Sequence, residues 1–181
     1  VRGLGNHPLE GVYVNASNAN GQYLGSTQTD SNGYYNLSAA DGSVSVSFSG
    51  SIPPFGTPPP YAPAYWSANR YNLAVSGPTT FDLSLNVVRV GGIVAANSDG
   101  MPIANTSVST YGNGYDSTAQ ASLSSSGNAT TGADGSYSFL LLAGSYQFNL
   151  YPPSGTGFTP LAVSFSVQSD TTHNFALKLA S

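Results

Sequence analysis

Apolar and polar residues alternate in short stretches along this chain, and the stretches are punctuated by Gly, Pro, Asn and Ser. Gly42-Ser43-Val44-Ser45-Val46-Ser47-Phe48 and Gly144-Ser145-Tyr146-Gln147-Phe148-Asn149-Leu150 are strict cases. A period of two sends successive side chains to opposite faces, so each reads as a strand with one face buried. No window carries the 3.6-residue apolar period of an amphipathic helix. The pattern predicts an all-β chain.

The strands recur in the same order. Gly5-Asn6-His7-Pro8-Leu9-Glu10-Gly11-Val12-Tyr13-Val14 matches Asp99 to Val108, each a turn, a Pro and then a strand. Thr29-Asp30-Ser31-Asn32-Gly33-Tyr34-Tyr35-Asn36-Leu37 matches Thr131 to Phe139, with Gly33 and Gly135 supplying the positive φ of a tight turn. Gly42 to Phe48 matches Gly144 to Leu150, and Phe81-Asp82-Leu83-Ser84-Leu85 is set against Phe175-Ala176-Leu177-Lys178-Leu179. Duplication predicts two tandem sandwiches, residues 1–87 and 88–181. No flexible spacer separates them near Asn86 to Val90, so an elongated, stiff rod is expected.

At these residues the chain resembles the carboxypeptidase regulatory-like domain, a transthyretin-like (Ig-like) β-sandwich. "DGMPIANTSV", "TGADGSYSFLLLAGSYQF" and "HNFALKL" carry the resemblance in the second half; "NHPLEGVYV", "TQTDSNGYYNL" and "TTFDLSL" carry it in the first. The resemblance implies a non-catalytic structural or accessory module. Two insertions depart from it: a Pro- and aromatic-rich stretch at 52–66 and a Gly/Ser/Asn-rich stretch at 111–128, the latter expected to be a loop. A third departure is a gap. Counted back from Pro8 and Pro102, the equivalents of Val88 to Val94 would precede Val1, leaving the first unit without most of its opening strand.

Charge narrows the function classes. Of 181 residues only 4 are Lys or Arg and 8 Asp or Glu, 7% of the chain against about 25% in an ordinary soluble domain. Arg2, Arg70, Arg89 and Lys178 stand singly, which excludes the clustered positive footprint of a nucleic-acid binder. The longest aliphatic run, Phe139 to Ala143, is far below the roughly 20 residues of a membrane-crossing helix. The start at Val1 fits a processed secreted product or a trimmed fragment. With no Cys, disulfides and thiolate metal sites are impossible.

Candidate chemistry is sparse. His7, His173 and the lone Glu10 form no catalytic constellation, and no Ser lies in a nucleophile elbow, so the chain is not expected to be an enzyme. The acidic turns at Asp30, Asp99 and Asp134 could offer weak Ca²⁺ binding, but none gathers six oxygens, and Asp before Gly is ordinary turn chemistry. No cofactor or metal is expected. Lys178 points outward between Leu177 and Leu179, away from any isopeptide role. Asn15, Asn36, Asn105 and Asn128 head N-x-Ser/Thr sequons. About 3–4 such triplets arise by chance in this composition, so their outward placement, not their number, marks them as glycosylation candidates. Tyr61, Tyr65 and Trp66 are the aromatic cluster outside strand alternation, a candidate carbohydrate or subunit contact.

The gap decides between these readings. An absent strand with three inward apolar residues forfeits roughly 5–9 kcal/mol at about 1.5–3 each, comparable to the roughly 5–15 kcal/mol stability of a small domain. Either the given chain is a fragment, or the edge beside Val1, Arg2, Gly3 and Leu4 takes a strand from elsewhere. Such a head-to-tail contact does not close on itself and builds a filament. The sequence thus predicts an extracellular, cell-surface filament subunit that pairs with itself and carries glycans. A carbohydrate-binding or adhesion module of a larger secreted protein is the alternative, and a ligand-free spacer the third possibility.

Overall fold

A computed structural model describes residues 1–51 and 60–180. Most of the Pro-rich insertion, residues 52–59, lies outside the described residues. The chain is all-β, as the alternation predicts. Its strands are β1 (Tyr13–Asn18), β2 (Tyr23–Gln28), β3 (Gly42–Ser51), β4 (Tyr65–Val75), β5 (Val87–Ala96), β6 (Ser107–Asp116), β7 (Ala121–Thr130), β8 (Ser136–Leu142), β9 (Gly144–Tyr151), β10 (Leu161–Val167), β11 (Thr171–Thr172) and β12 (Phe175–Leu177). Eight of them form one sheet in the order β10-β9-β6-β7-β4-β3-β1-β2. A second sheet is built on β5, which pairs antiparallel with β8 and parallel with β11 and β12.

Period-two burial holds the layers together. In β9, Tyr146, Phe148 and Leu150 are buried while Ser145 and Gln147 face solvent. Phe148 stacks on Phe165 at 4.5 Å and meets Phe139 and Phe175 at about 6 Å, joining both sheets through one aromatic knot. In the first half, Val14, Val44, Phe48, Trp66 and Leu83 form the corresponding core. Trp66 crowds Gly50, where an added Cβ would fall 2.2 Å from the indole nitrogen. Gly50 is thus a close-approach glycine.

The two halves are joined more intimately than a tandem rod implies. Residues 111–128 are strand apart from the turn at 117–120, not a loop: β6 and β7 form a long antiparallel hairpin from Ser107↔Thr130 to Asp116↔Ala121. Strand β7 then pairs with β4 from Tyr65↔Ser126 to Arg70↔Ala121, so one sheet crosses the repeat boundary side by side. Ala121, Leu123, Leu142 and Val87 complete the first core. A cut at residue 87 therefore divides the sequence repeat but not the packing.

Equivalent hydrogen bonds define the repeat atom by atom. Thr29 Oγ1 donates to Leu9 O and accepts from Val12 N; Thr131 Oγ1 does the same with Ile103 O and Thr106 N. Tyr35 OH donates to Phe81 O, as Tyr137 OH does to His173 O. Gly33 and Gly135, at φ 74° and 72°, accept from Val1 N and Val94 N through their carbonyls. These pairs correct two alignments. Arg2 bridges Pro8 and Ser84, while Ala95 bridges Pro102 and pairs with Ala176, so Val1 corresponds to Val94 and the absent equivalents are Val87–Ile93. Thr79-Thr80-Phe81-Asp82-Leu83-Ser84-Leu85 likewise superposes on Thr171 to Leu177, slipped by two positions from the sequence match. An alternating strand hides such a slip, because moving by two keeps every side chain on the same face.

Candidate functional site

The segment equivalent to β8 in the first half is residues 34–40, and it is not a strand. The equivalent of β11 is residues 79–80, also unpaired. In the second half β5 runs between these two elements and bonds to both. In the first half they flank an open groove of about 510 Å³, lined by Tyr34, Tyr35, Leu37, Thr79, Phe81 and Asp82 among others. Among the described residues, the backbone N–H and C=O groups from Tyr35 to Ala40 and from Thr79 to Thr80 have no backbone partner. Both walls thus present unpaired backbone to one slot.

Val1 to Leu4 are not the free edge that the sequence suggests. Val1 is buried, Arg2 N donates to Leu83 O, Arg2 O accepts from Leu85 N, Gly3 N donates to His7 O and Leu4 N donates to Tyr61 O. These residues are the closing end of the opening strand and are already paired on both sides. The unpaired edges lie beside them.

The floor of the slot is apolar and its closed end is fixed. Leu37, Tyr35 and Phe81 pack on the first core, and Phe48 meets Tyr35 edge-on at 5.5 Å and Phe81 at 5.8 Å. The Tyr35 hydroxyl crosses to Phe81 O at 2.7 Å next to Val1. Burial, aided by the Asp82 carboxylate, pushes the Tyr35 phenol up to about 12, so it remains a donor at any physiological pH. Asp82 stands exposed at the rim, in the place where Asn174 Oδ1 accepts the Ile93 N–H of β5 at 2.9 Å.

The other candidates are dispersed. Asn36 is exposed on the wall of the slot, Asn105 is exposed in a turn at φ 59°, and Asn15 is half-buried on β1 between Ser26 and Ser47. Asn128 is exposed but sits on β7 opposite Ser109, not in a loop. Tyr61, Tyr65 and Trp66 do not form one exposed cluster. Tyr61 stacks on His7 at 3.6 Å, Tyr65 faces solvent, and Trp66 is 5% exposed in the core. It is buried because strand alternation continues through it: Tyr65 out, Trp66 in. A signal missed in the sequence is the outward face of the large sheet, where Tyr65, Ser126 and Tyr111 fall in one uncharged row.

The titratable groups do structural work. His173 stacks on Phe165 at 4.3 Å. Asp30 Oδ1 accepts the N–H groups of Asn32 and Tyr34, Asp99 Oδ1 that of Met101, and Asp134 Oδ1 that of Ser136. Hydrogen bonds from the Ser136 side chain and backbone hold the Asp134 carboxyl below its usual value. Among the described residues no three His, Cys, Asp or Glu side chains gather as metal ligands. Lys178 is exposed.

Fold and groove together define a class: an all-β protein of two sheets, with a groove between residues 34–40 and 79–80. Neither a protein-family profile nor a curated protein sequence matches the chain. Solved structures that resemble it include a shaft pilin SpaA from Lactobacillus rhamnosus GG, at 10% identity, covering 98% of this chain and 88% of that one with a TM-score of 0.43. A streptococcal ancillary pilin follows at 16% identity, 99% and 60% coverage and 0.42, and the Bacillus anthracis TIE protein at 14%, 96% and 32%, and 0.38. The chain thus spans about a third of the TIE protein and three-fifths of the ancillary pilin.

Proposed function

We propose that this protein is a non-enzymatic, secreted structural subunit of an extracellular filament, and that subunits join head to tail by inserting a strand of one copy into the open slot of the next. The observation that supports the reading is the contrast within one chain. The second repeat holds β5 between β8 and β11, while the first repeat builds both walls and leaves them facing a groove. The walls are mixed, with half-buried Tyr35, Leu37 and Phe81 beside exposed Asn36, Thr79 and Asp82, and an added strand would pair their free backbone groups. The contact is heterologous, so it propagates instead of closing. Glycans on Asn36, Asn105 and Asn128 would solvate a surface that has few charges, and half-buried Asn15 is the least accessible acceptor.

Negative-stain electron microscopy of the purified chain over a range of concentrations tests this. Fibres that vanish in Leu37→Asp, with the strand signal in circular dichroism kept, are expected; a wild-type chain that stays monomeric throughout contradicts the proposal. Mass spectrometry of native-source material should exceed the unmodified polypeptide mass, and an unmodified mass would remove the glycans from the account.

A carbohydrate-contact reading has one observation of its own. Tyr65 and Tyr111 flank Ser126 on the open sheet face, and flat, uncharged aromatic rows suit sugar rings. Retention on a polysaccharide column that is lost in the Tyr65→Ala/Tyr111→Ala double variant would support it.

A further inference from the structure

We infer that the outer edge of β10 is an interface for a second copy of this chain, which pairs with it edge to edge and antiparallel across a two-fold axis at Ser164. The two ends of the eight-stranded sheet differ in kind. At β2 the positions facing buried Val14 and Ala16 of β1 are Thr27 and Gly25, and the β1–β2 register shifts between Ala16 and Ser17. That end has no apolar row to cover, and its irregularity turns it away from a partner. At β10 the register with β9 runs unbroken over seven pairs, from Leu161↔Leu150 to Val167↔Gly144. Leu161, Val163 and Phe165 continue the core row of Leu150, Phe148 and Tyr146, but they are half-buried where those three are at most 2% exposed. The second core is therefore left open along β10. Its row is also held in place, because the Phe165 ring stacks on Phe148 at 4.5 Å and on His173 at 4.3 Å.

The edge carries none of the devices that keep sheets apart. β10 has no charge, no Pro and no bulge. Among the described residues, the backbone groups of residues 161–167 have no backbone partner outside β9. The strand's own sequence selects a second copy as the partner. Turned about Ser164, it sets Leu161 of one copy opposite Val167 of the other, Val163 opposite Phe165, Ala162 opposite Ser166, and Ser164 opposite itself. Every inward apolar residue meets an apolar one, and exposed Ala162, Ser164 and Ser166 meet one another on the outer face. The Val163–Phe165 pairs are of the favourable aromatic and β-branched kind. A slip of one residue would set the apolar row against the outer one, so the faces fix the register. This contact is isologous and closes at two copies. It uses neither the groove between residues 34–40 and 79–80 nor the residues beside Val1.

Sedimentation velocity over a range of concentrations tests this, run on the wild-type chain and on Leu37→Asp, which removes groove-mediated polymers. A dimer is expected in both. The triple variant Ala162→Lys/Ser164→Lys/Ser166→Lys places three like-charge pairs across the axis at exposed positions, and should weaken the dimer about tenfold or more at low salt with the strand signal in circular dichroism kept. The matching Asp triple variant should behave in the same way, and an equimolar mixture of the two should restore the dimer. A Leu37→Asp chain that stays monomeric at every concentration, a dimer that the Lys variant leaves intact, or a mixture that stays monomeric overturns the inference. Fibres of the wild type beside a monomeric Leu37→Asp chain would leave the filament proposal standing and remove this interface. A charge-swappable dimer in a chain that never forms fibres would do the reverse.

Discussion

The repeat places different residues in the same hydrogen-bonded frame, so single substitutions can be read against an internal control. Thr106 and Val12 occupy one position, each with its N–H on a Thr hydroxyl. Thr106 Oγ1 is buried with no partner among the described residues, whereas Val12 has no such atom. Thr106→Val is expected to stabilise the fold by about 1 kcal/mol, by removing an unpaired polar atom, measurable as a higher midpoint in urea. Gly135→Ala acts in the other direction. At φ 72° with an added Cβ 2.5 Å from Val94 O, it should cost about 2–3 kcal/mol. Tyr35 and Tyr137 give a pH signature. Burial raises both phenols, Tyr35 to about 12, so the folded state holds protons that the unfolded state releases above about pH 10. Their contribution is fully present below about pH 10 and is lost as pH rises toward 12. Urea midpoints should therefore be insensitive to Tyr35→Phe in shape near neutrality, and the wild-type loss of stability between about pH 10 and 12 should shrink in that variant.

Among the elements, those with strict alternation were legible and those without it were not. β3 and β9 could be read residue by residue, because Val44, Val46, Phe48 and Tyr146, Phe148, Leu150 repeat every second position. The β6–β7 hairpin could not. Ser122, Ser124, Ser126 and Gly127 have loop composition, and only Ala121 and Leu123 mark the face that enters the first core. Its strand character comes from pairing with β4, a long-range contact that local composition does not encode. The trio Tyr61, Tyr65 and Trp66 failed as a cluster for a related reason: β4 begins at Tyr65, and the alternation that starts there buries Trp66. Leu123→Ala tests the hairpin's role. It should destabilise the whole chain by about 2–4 kcal/mol and leave one cooperative transition, since its side chain belongs to the first core although its strand belongs to the second repeat. Two separated transitions would show that the repeats unfold independently.

For the whole molecule, the sequence gap points at Val1 to Leu4, whose backbone groups at Arg2, Gly3 and Leu4 are paired, while the unpaired segments lie beside them. Those residues were the visible ones; the walls that lack a partner, 34–40 and 79–80, become recognisable only when the second repeat shows what lies between their equivalents. The sparse charge has a structural counterpart in the outward rows of Ser, Asn and Tyr on the large sheet, which offer no like-charge repulsion to an approaching copy. Its end strands β2 and β10 contain no charged residue. Filaments are thus expected to withstand high salt, because apolar burial and backbone pairing are not screened as surface ion pairs are. The most direct measurement is an electron cryomicroscopy map of the assembled protein at a resolution that traces the backbone. The account predicts a strand between residues 34–40 and 79–80 whose density continues into a neighbouring subunit. A slot filled by density continuous with the same subunit's own Val1, or subunits that meet elsewhere and leave the groove open, would contradict it.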